Sequence, residues 1–143
     1  MRNLIERLDT EVEAAYAAAA LDWKPRFTPV LRAIRTSGPT SIKAIAGVAG
    51  VSHSAVSQTV SQMVRDGLVT LAPGADARER IVVLTPKVEA MIPALERQWA
   101  ATNAAADQLD AELSVPLSRL LKEAIAALDR KPFGERIAAA RNP

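Results

Sequence analysis

The chain has no cysteine and a single histidine, His53, among its 143 residues. Without thiols there can be no disulfide, thiolate metal site, cysteine nucleophile or thiol redox sensor, and one histidine does not make a clustered metal site. No Ser-His-Asp arrangement and no glycine-rich phosphate loop is legible, so the sequence argues against an enzyme and calls for no cofactor. The carboxylates of Asp107, Asp110 and Glu112 lack a partner group and read as a solvated face. Aromatics are scarce: Tyr16, Trp23, Phe27, Trp99 and Phe133 are all there are. A core built from Ala, Leu, Val and Ile suits closely packed helices. Long apolar runs are missing too. The alanine-rich stretch 14–20 is followed by Asp22, Lys24 and Arg26, well short of the roughly 20 residues that cross a bilayer. Glu6, Asp9, Glu11 and Glu13 precede it where a secretory leader wants positive charge. The expectation is a soluble, cytoplasmic protein with no membrane partner.

At this length one folding unit with some additional helices is expected. Net charge is only +2, but it is unevenly placed. Residues 26–90 hold eight Lys/Arg against four Asp/Glu, residues 1–25 three against five, and residues 91–143 seven against seven. The positive excess is confined to the middle of the chain, as the partner of a polyanion requires.

Leu4, Ile5, Leu8, Val12 and Ala15 recur at helical spacing and predict an amphipathic helix over 3–21 that stops near Lys24-Pro25. A second helix is expected over 28–36 with Val30, Leu31 and Ile34 inward, broken by Ser37-Gly38-Pro39. Thr40 or Ser41 can cap a third that buries Ile42, Ile45 and Ala46 and ends at Gly50. Ser52 can cap a fourth, whose inner face is Val56, Val60, Met63 and Val64 and whose end is Asp66-Gly67. Residues 68–71 and 81–84 read as a two-stranded hairpin with a long charged tip. Thr85-Pro86 opens a long helix to about Leu113, with Met91, Leu95, Trp99, Ala106, Leu109 and Leu113 as its stripe. Pro93 threatens to kink it. A last helix through Leu128 should bury Leu117, Leu120, Leu121, Ile125 and Leu128, with a short turn after Lys131-Pro132.

The stretch from Ile42 to Leu68 has the spacing of a helix-turn-helix: small Ala46, bending Gly50, apolar Val51, capping Ser52 and branched Val56 in phase. The outward face of its second helix carries His53, Ser54, Ser57, Gln58, Ser61 and Gln62, with no carboxylate. Solvated helices normally place Glu and Lys there, whereas hydroxyls and amides suit base edges and phosphates. Lys43 and Arg65 flank this face and can meet phosphates, and Ser41 and Ser52 are counted with it among the DNA-binding residues. Arg78 and Arg80, in the tip after the turn-forming Asp76, are placed to enter a minor groove. An Asp76–arginine ion pair is the plainer role for that tip. Base reading is assigned chiefly to Ser54, Ser57 and Gln58.

These residues resemble the MarR family of winged helix-turn-helix transcriptional regulators. The likeness rests on Ile45-Ala46, Gly50-Val51-Ser52, Val56-Ser57, Asp66-Gly67-Leu68-Val69, Asp76-x-Arg78 and Leu84-Thr85-Pro86-Lys87. It extends from Phe27 to about Leu95, departing where Val88 replaces a usual glycine and where the N-terminal segment is short. The fold it implies is mainly α with a small β-hairpin: one MarR-like domain over 1–143, with a winged helix-turn-helix lobe at 26–90 and dimerisation helices in 1–25 and 91–143. The function it implies is that of a homodimeric, sequence-specific double-stranded-DNA-binding regulator, a repressor on a palindromic operator. The competing reading is a winged-helix protein-interaction module that does not bind DNA. The resemblance also implies a small aromatic effector, for which Trp23, Phe27, Leu31 and Trp99 are the pocket candidates, although the few large apolar residues of such a chain read first as core.

Overall fold

The computed structural model describes residues 2–141. Its contacts divide the chain into two units, 1–99 and 100–143. Unit 1 begins with α1 (Arg2–Ala18), a short 3₁₀ turn (Pro25–Phe27) and α2 (Thr28–Ser37). β1 (Thr40–Ser41), α3 (Ile42–Ala49), α4 (His53–Arg65), β2 (Val69–Pro73), β3 (Arg80–Leu84) and the first half of α5 (Pro86–Glu112) follow.

The first helix stops three residues before the expected end. Ala20 adopts a left-handed backbone (φ 55°), and the Leu21 N–H reaches back to the Tyr16 carbonyl at 2.9 Å, the closure pattern glycine normally serves at a helix end. An alanine there costs about 1 kcal/mol. The reversal carries Trp23 and Phe27 into the core, and Trp23 Nε1 donates to Thr28 Oγ1 at 3.1 Å.

The core of unit 1 is a contiguous cluster of Tyr16, Trp23, Phe27, the α2 residues Val30, Leu31, Ala33 and Ile34, Ile45 of α3, and Val56, Val60 and Met63 of α4. Leu68, Val69, Val82, Val88 and Leu95 close it. Val88, at the usual glycine position, contributes a fully buried side chain to the start of α5. Val64 and Val51 depart from expectation. They are 39% and 47% exposed, because the inner face of α4 is already filled at Val56, Val60 and Met63, and Val51 lies in the turn before the Ser52 cap.

The sheet has three strands in the order β1-β3-β2, all antiparallel, where two were expected. β1 pairs Thr40 with Val82 and Ser41 with Ile81, and β2 pairs Val69 with Leu84 through Pro73 with Arg80. The extra strand shields one edge of the hairpin, which a two-stranded ribbon would leave open. Thr85 fastens the hairpin's base: its hydroxyl donates to Gly67 O at 2.7 Å, and its N–H donates to Leu68 O at 3.1 Å. Lys87 Nζ donates to Asp66 O at 2.6 Å, satisfying a carbonyl at the end of α4. Pro93 does not end α5, which runs unbroken through it.

Unit 2 contains the rest of α5, α6 (Leu117–Arg130) and α7 (Phe133–Arg141). Asp110 caps the turn into α6 by accepting from the Ser118 N–H at 3.3 Å. Hydrogen bonding from Ser118, side chain first and backbone second, holds its carboxyl below the usual carboxylate range. The expected burial of the α6 face does not occur within one chain. Leu120, Leu121, Ile125 and Leu128 are 47%, 54%, 59% and 44% exposed, and Phe133 and Ile137 of α7 are exposed as well. Periodicity gave the helix its apolar face, and that face is exposed in the single chain.

Candidate nucleic-acid interface

Two capped helices and one glycine turn build the candidate reading head. Ser41 Oγ accepts from the Ala44 N–H at 3.1 Å and starts α3. Gly50 ends it in the left-handed conformation (φ 67°) with its N–H on Ala46 O at 3.0 Å, a backbone that costs other residues about 1–2 kcal/mol. Ser52 Oγ then accepts from the Ala55 N–H at 3.1 Å and starts α4. With Val56, Val60 and Met63 anchored in the core, the opposite face must point to solvent. His53, Ser54, Gln58, Ser61 and Arg65 are exposed, and Ser57 and Gln62 are half-buried. Between 53 and 65 there is no acid to repel a polyanion.

The structure adds a residue that sequence reasoning missed. Arg26, from the 3₁₀ turn, lines an open groove of about 350 Å³ together with Ser57, Gln58, Ser61 and Arg65. Its guanidinium sits 5.7 Å from the centre of the buried Phe27 ring, a cation–π contact worth about 0.5–1 kcal/mol at an exposed site such as this. No spacing rule links positions 26 and 57, so only the fold reveals the pairing.

Several of the expected contacts also make hydrogen bonds within the chain. Ser41 is 9% exposed and its hydroxyl is used by the α3 cap, so it serves the lobe's interior. The Gln62 amide is held at both ends: Nε2 donates to Asp66 Oδ1 at 2.8 Å, and Oε1 accepts from Arg65 Nη2 at 2.7 Å. Ser61 Oγ donates to Ser57 O at 2.9 Å. Lys43 is exposed on α3.

In the wing, tip residues 74–79 are closed by the Gly74 N–H on Glu79 O (3.0 Å) and the Glu79 N–H on Asp76 O (2.9 Å). Asp76 forms no ion pair among the described residues. Its carboxylate accepts from the Arg78 backbone N–H at 3.1 Å, an Asx turn that shapes the tip and leaves the Arg78 side chain exposed. The geometric reason is that a two-residue separation brings carboxylate and backbone N–H together more readily than carboxylate and guanidinium. Arg80 is exposed at the start of β3.

The profile of the MarR family matches residues 25–79, which span the 3₁₀ turn, the helix-turn-helix and the wing tip. Over these residues the chain is similar to the MarR family. Solved structures share the fold across almost the whole chain. The Mycobacterium tuberculosis transcriptional regulator MOSR, determined in complex with DNA, is 24% identical, with 99% of this chain and 95% of that one covered at a TM-score of 0.70. PcaV from Streptomyces coelicolor, determined with its natural ligand, is 18% identical, with 90% of each chain covered at 0.65. BldR from Sulfolobus solfataricus is 19% identical, with 90% of this chain and 89% of that one covered at 0.64. A search of curated proteins gave no significant match.

In this MarR-like lobe the four pocket candidates lie within the core or at its edge. Trp23, Phe27 and Leu31 are 4%, 0% and 0% exposed, and the two rings of Trp23 and Phe27 meet edge to face at 5.4 Å. Trp99 is half-buried, donates to Tyr16 Oη at 2.9 Å and lies 5.2 Å beneath the Arg32 guanidinium. All four therefore have packing roles. No cluster of His, Asp or Glu capable of holding a metal occurs among the described residues, and no helix there is long and apolar enough to cross a membrane.

Proposed function

We propose that the protein is a sequence-specific, double-stranded-DNA-binding transcriptional regulator, acting in the cytoplasm as a homodimer that represses by occupying a palindromic operator. The observation that carries this reading is the outer face of α4: exposed, hydroxyl- and amide-rich, acid-free, and flanked by Arg26 and Arg65. Such a face enters a major groove without charge repulsion and can hydrogen-bond base edges. Ser54, Ser57 and Gln58 are its base readers, and Ser52, His53 and Lys43 meet the backbone. Arg78 and Arg80 extend from the wing toward the flanking minor groove, where width and potential are read without a base code.

Dimerisation is supported by apolar faces left open in each unit: Leu4, Ile5 and Leu8 on α1, and the α6 and α7 residues described above. A two-fold dimer would present two α4 helices to half-sites about 10 base pairs apart, centre to centre. The DNA complex of the mycobacterial relative is consistent with this reading.

Gln58→Ala tests base reading. It should cost about 1–3 kcal/mol at one base-pair position of each half-site and relax preference there. Competition titrations over a panel of base-substituted operators measure it, and an equal loss on every sequence would show that Gln58 contacts phosphate instead. Arg78→Ala makes the opposite expectation: affinity falls on every operator variant while base preferences hold, and the melting temperature scarcely moves, since its side chain is exposed. An unchanged affinity in the same titrations would remove the wing from the interface.

A further inference from the structure

The groove between the 3₁₀ turn and α4 has a composition that the base-reading role does not require. Two of its five lining residues are arginines, two are serines, one is glutamine, and none is acidic. Both arginines are prearranged by contacts within the chain. Arg26 lies against the ring of Phe27, which is wholly buried and so fixed. Arg65 donates to Gln62, whose amide is itself held by Asp66, so a chain of two short hydrogen bonds anchors the guanidinium to the end of α4. Asp66 accepts from the Gln62 amide through Oδ1, and no ion pair between Asp66 and Arg65 occurs among the described residues.

We infer that this groove is a clamp for one backbone phosphate of a DNA strand, with Arg26 and Arg65 as its two cations and Gln62 as the residue that positions Arg65. The inference rests on the DNA-binding reading and adds to it a fixed point that sets how α4 sits in the major groove. Arginine suits the task because its planar fork donates two parallel hydrogen bonds to phosphate oxygens. Holding the forks in place beforehand spares the ordering cost that free surface arginines incur on binding. Ser61 supplies a polar floor, and the Ser57 hydroxyl and the Gln58 amide stay available for base edges. Phosphate contacts of this kind fix register and orientation and carry no sequence information.

The test is a salt titration of binding to a random-sequence duplex, with the full-length wild type, Arg26→Gln, Arg26→Lys, Arg65→Ala, Gln62→Ala and Gln62→Ala/Arg65→Ala. Arg26→Gln should weaken binding about ten-fold and reduce the slope of log affinity against log salt by about 0.9 for each lobe, the signature of one lost phosphate contact. Arg26→Lys should restore most of the slope. Gln62→Ala should weaken binding several-fold in the Arg65 background and have no further effect once Arg65 is gone. A melting curve on each variant identifies those that fail to fold, and Arg65→Ala, with the Gln62→Ala comparison in both backgrounds, carries the test if Arg26→Gln is among them. A wild type that shows no salt-dependent binding overturns the DNA reading itself. Normal wild-type binding with an unchanged slope in Arg26→Gln overturns the clamp alone, as does an equal Gln62→Ala loss with and without Arg65.

Discussion

Replacing Phe27 by alanine is expected to destabilise unit 1 by about 3–5 kcal/mol, a large share of the 5–15 kcal/mol that holds a typical domain together. The side chain is fully buried in the short 3₁₀ turn between α1 and α2, and it packs edge to face against Trp23 at 5.4 Å. Truncation loses the transfer energy of the ring, the aromatic pair and the packing around the void. A second consequence follows for binding. Arg26 loses the surface that restrains it, so DNA affinity should fall under conditions where the variant is still folded. Urea unfolding followed by circular dichroism gives the stability, and a loss below about 1 kcal/mol would mean that the core closes over the gap and does not depend on this ring.

Placing two carboxylates on the open face of α6 should separate the proposed dimer without unfolding the chain. Leu121 and Ile125 are 54% and 59% exposed in the single chain, and glutamate is a good helix former, so Leu121→Glu/Ile125→Glu should leave monomer stability nearly unchanged. In a two-fold interface each change acts twice. Burying unpaired carboxylates costs several kcal/mol, enough to weaken association by about 10³-fold or more. Sedimentation should show the wild type at twice 15.3 kDa at micromolar concentration and the variant at 15.3 kDa. Operator affinity should drop with it, because two half-sites would then be bound as separate events. A variant that still sediments as a dimer would place the interface on another face, and a monomeric wild type would remove the dimer altogether.

What was legible in the sequence is what local chemistry decides. Ser41 and Ser52 are caps because a β-region backbone places a hydroxyl over the next turn's N–H groups. Gly50 and Gly67 mark helix ends because each backbone is left-handed there. The polar, acid-free face of α4 followed from its apolar face by simple helical period. What was not legible depends on remote parts of the chain. β1 is two residues long and exists only because Val82 and Ile81, some forty positions on, offer a free edge. Ala20 is not a residue type that announces a left-handed turn, so the end of α1 was set too late. Val64 and the α6 leucines share the helical period of core residues. Whether anything covers them is a tertiary fact. The polar pattern of α4 counts Gln62 with the outward face, but it does not reveal that the Gln62 amide is bonded to both Asp66 and Arg65.

The most direct measurement is selection of bound sequences from a pool of random duplexes by the purified wild-type protein, followed by titration of the enriched sequence across a salt series. The account predicts enrichment of a palindrome with half-site centres about 10 base pairs apart, bound some 10³-fold or more tighter than the unselected pool and with an affinity that falls steeply as salt rises. Absence of any enriched sequence, together with no salt-dependent binding to the pool, would contradict it and leave the winged helix as a surface for another protein.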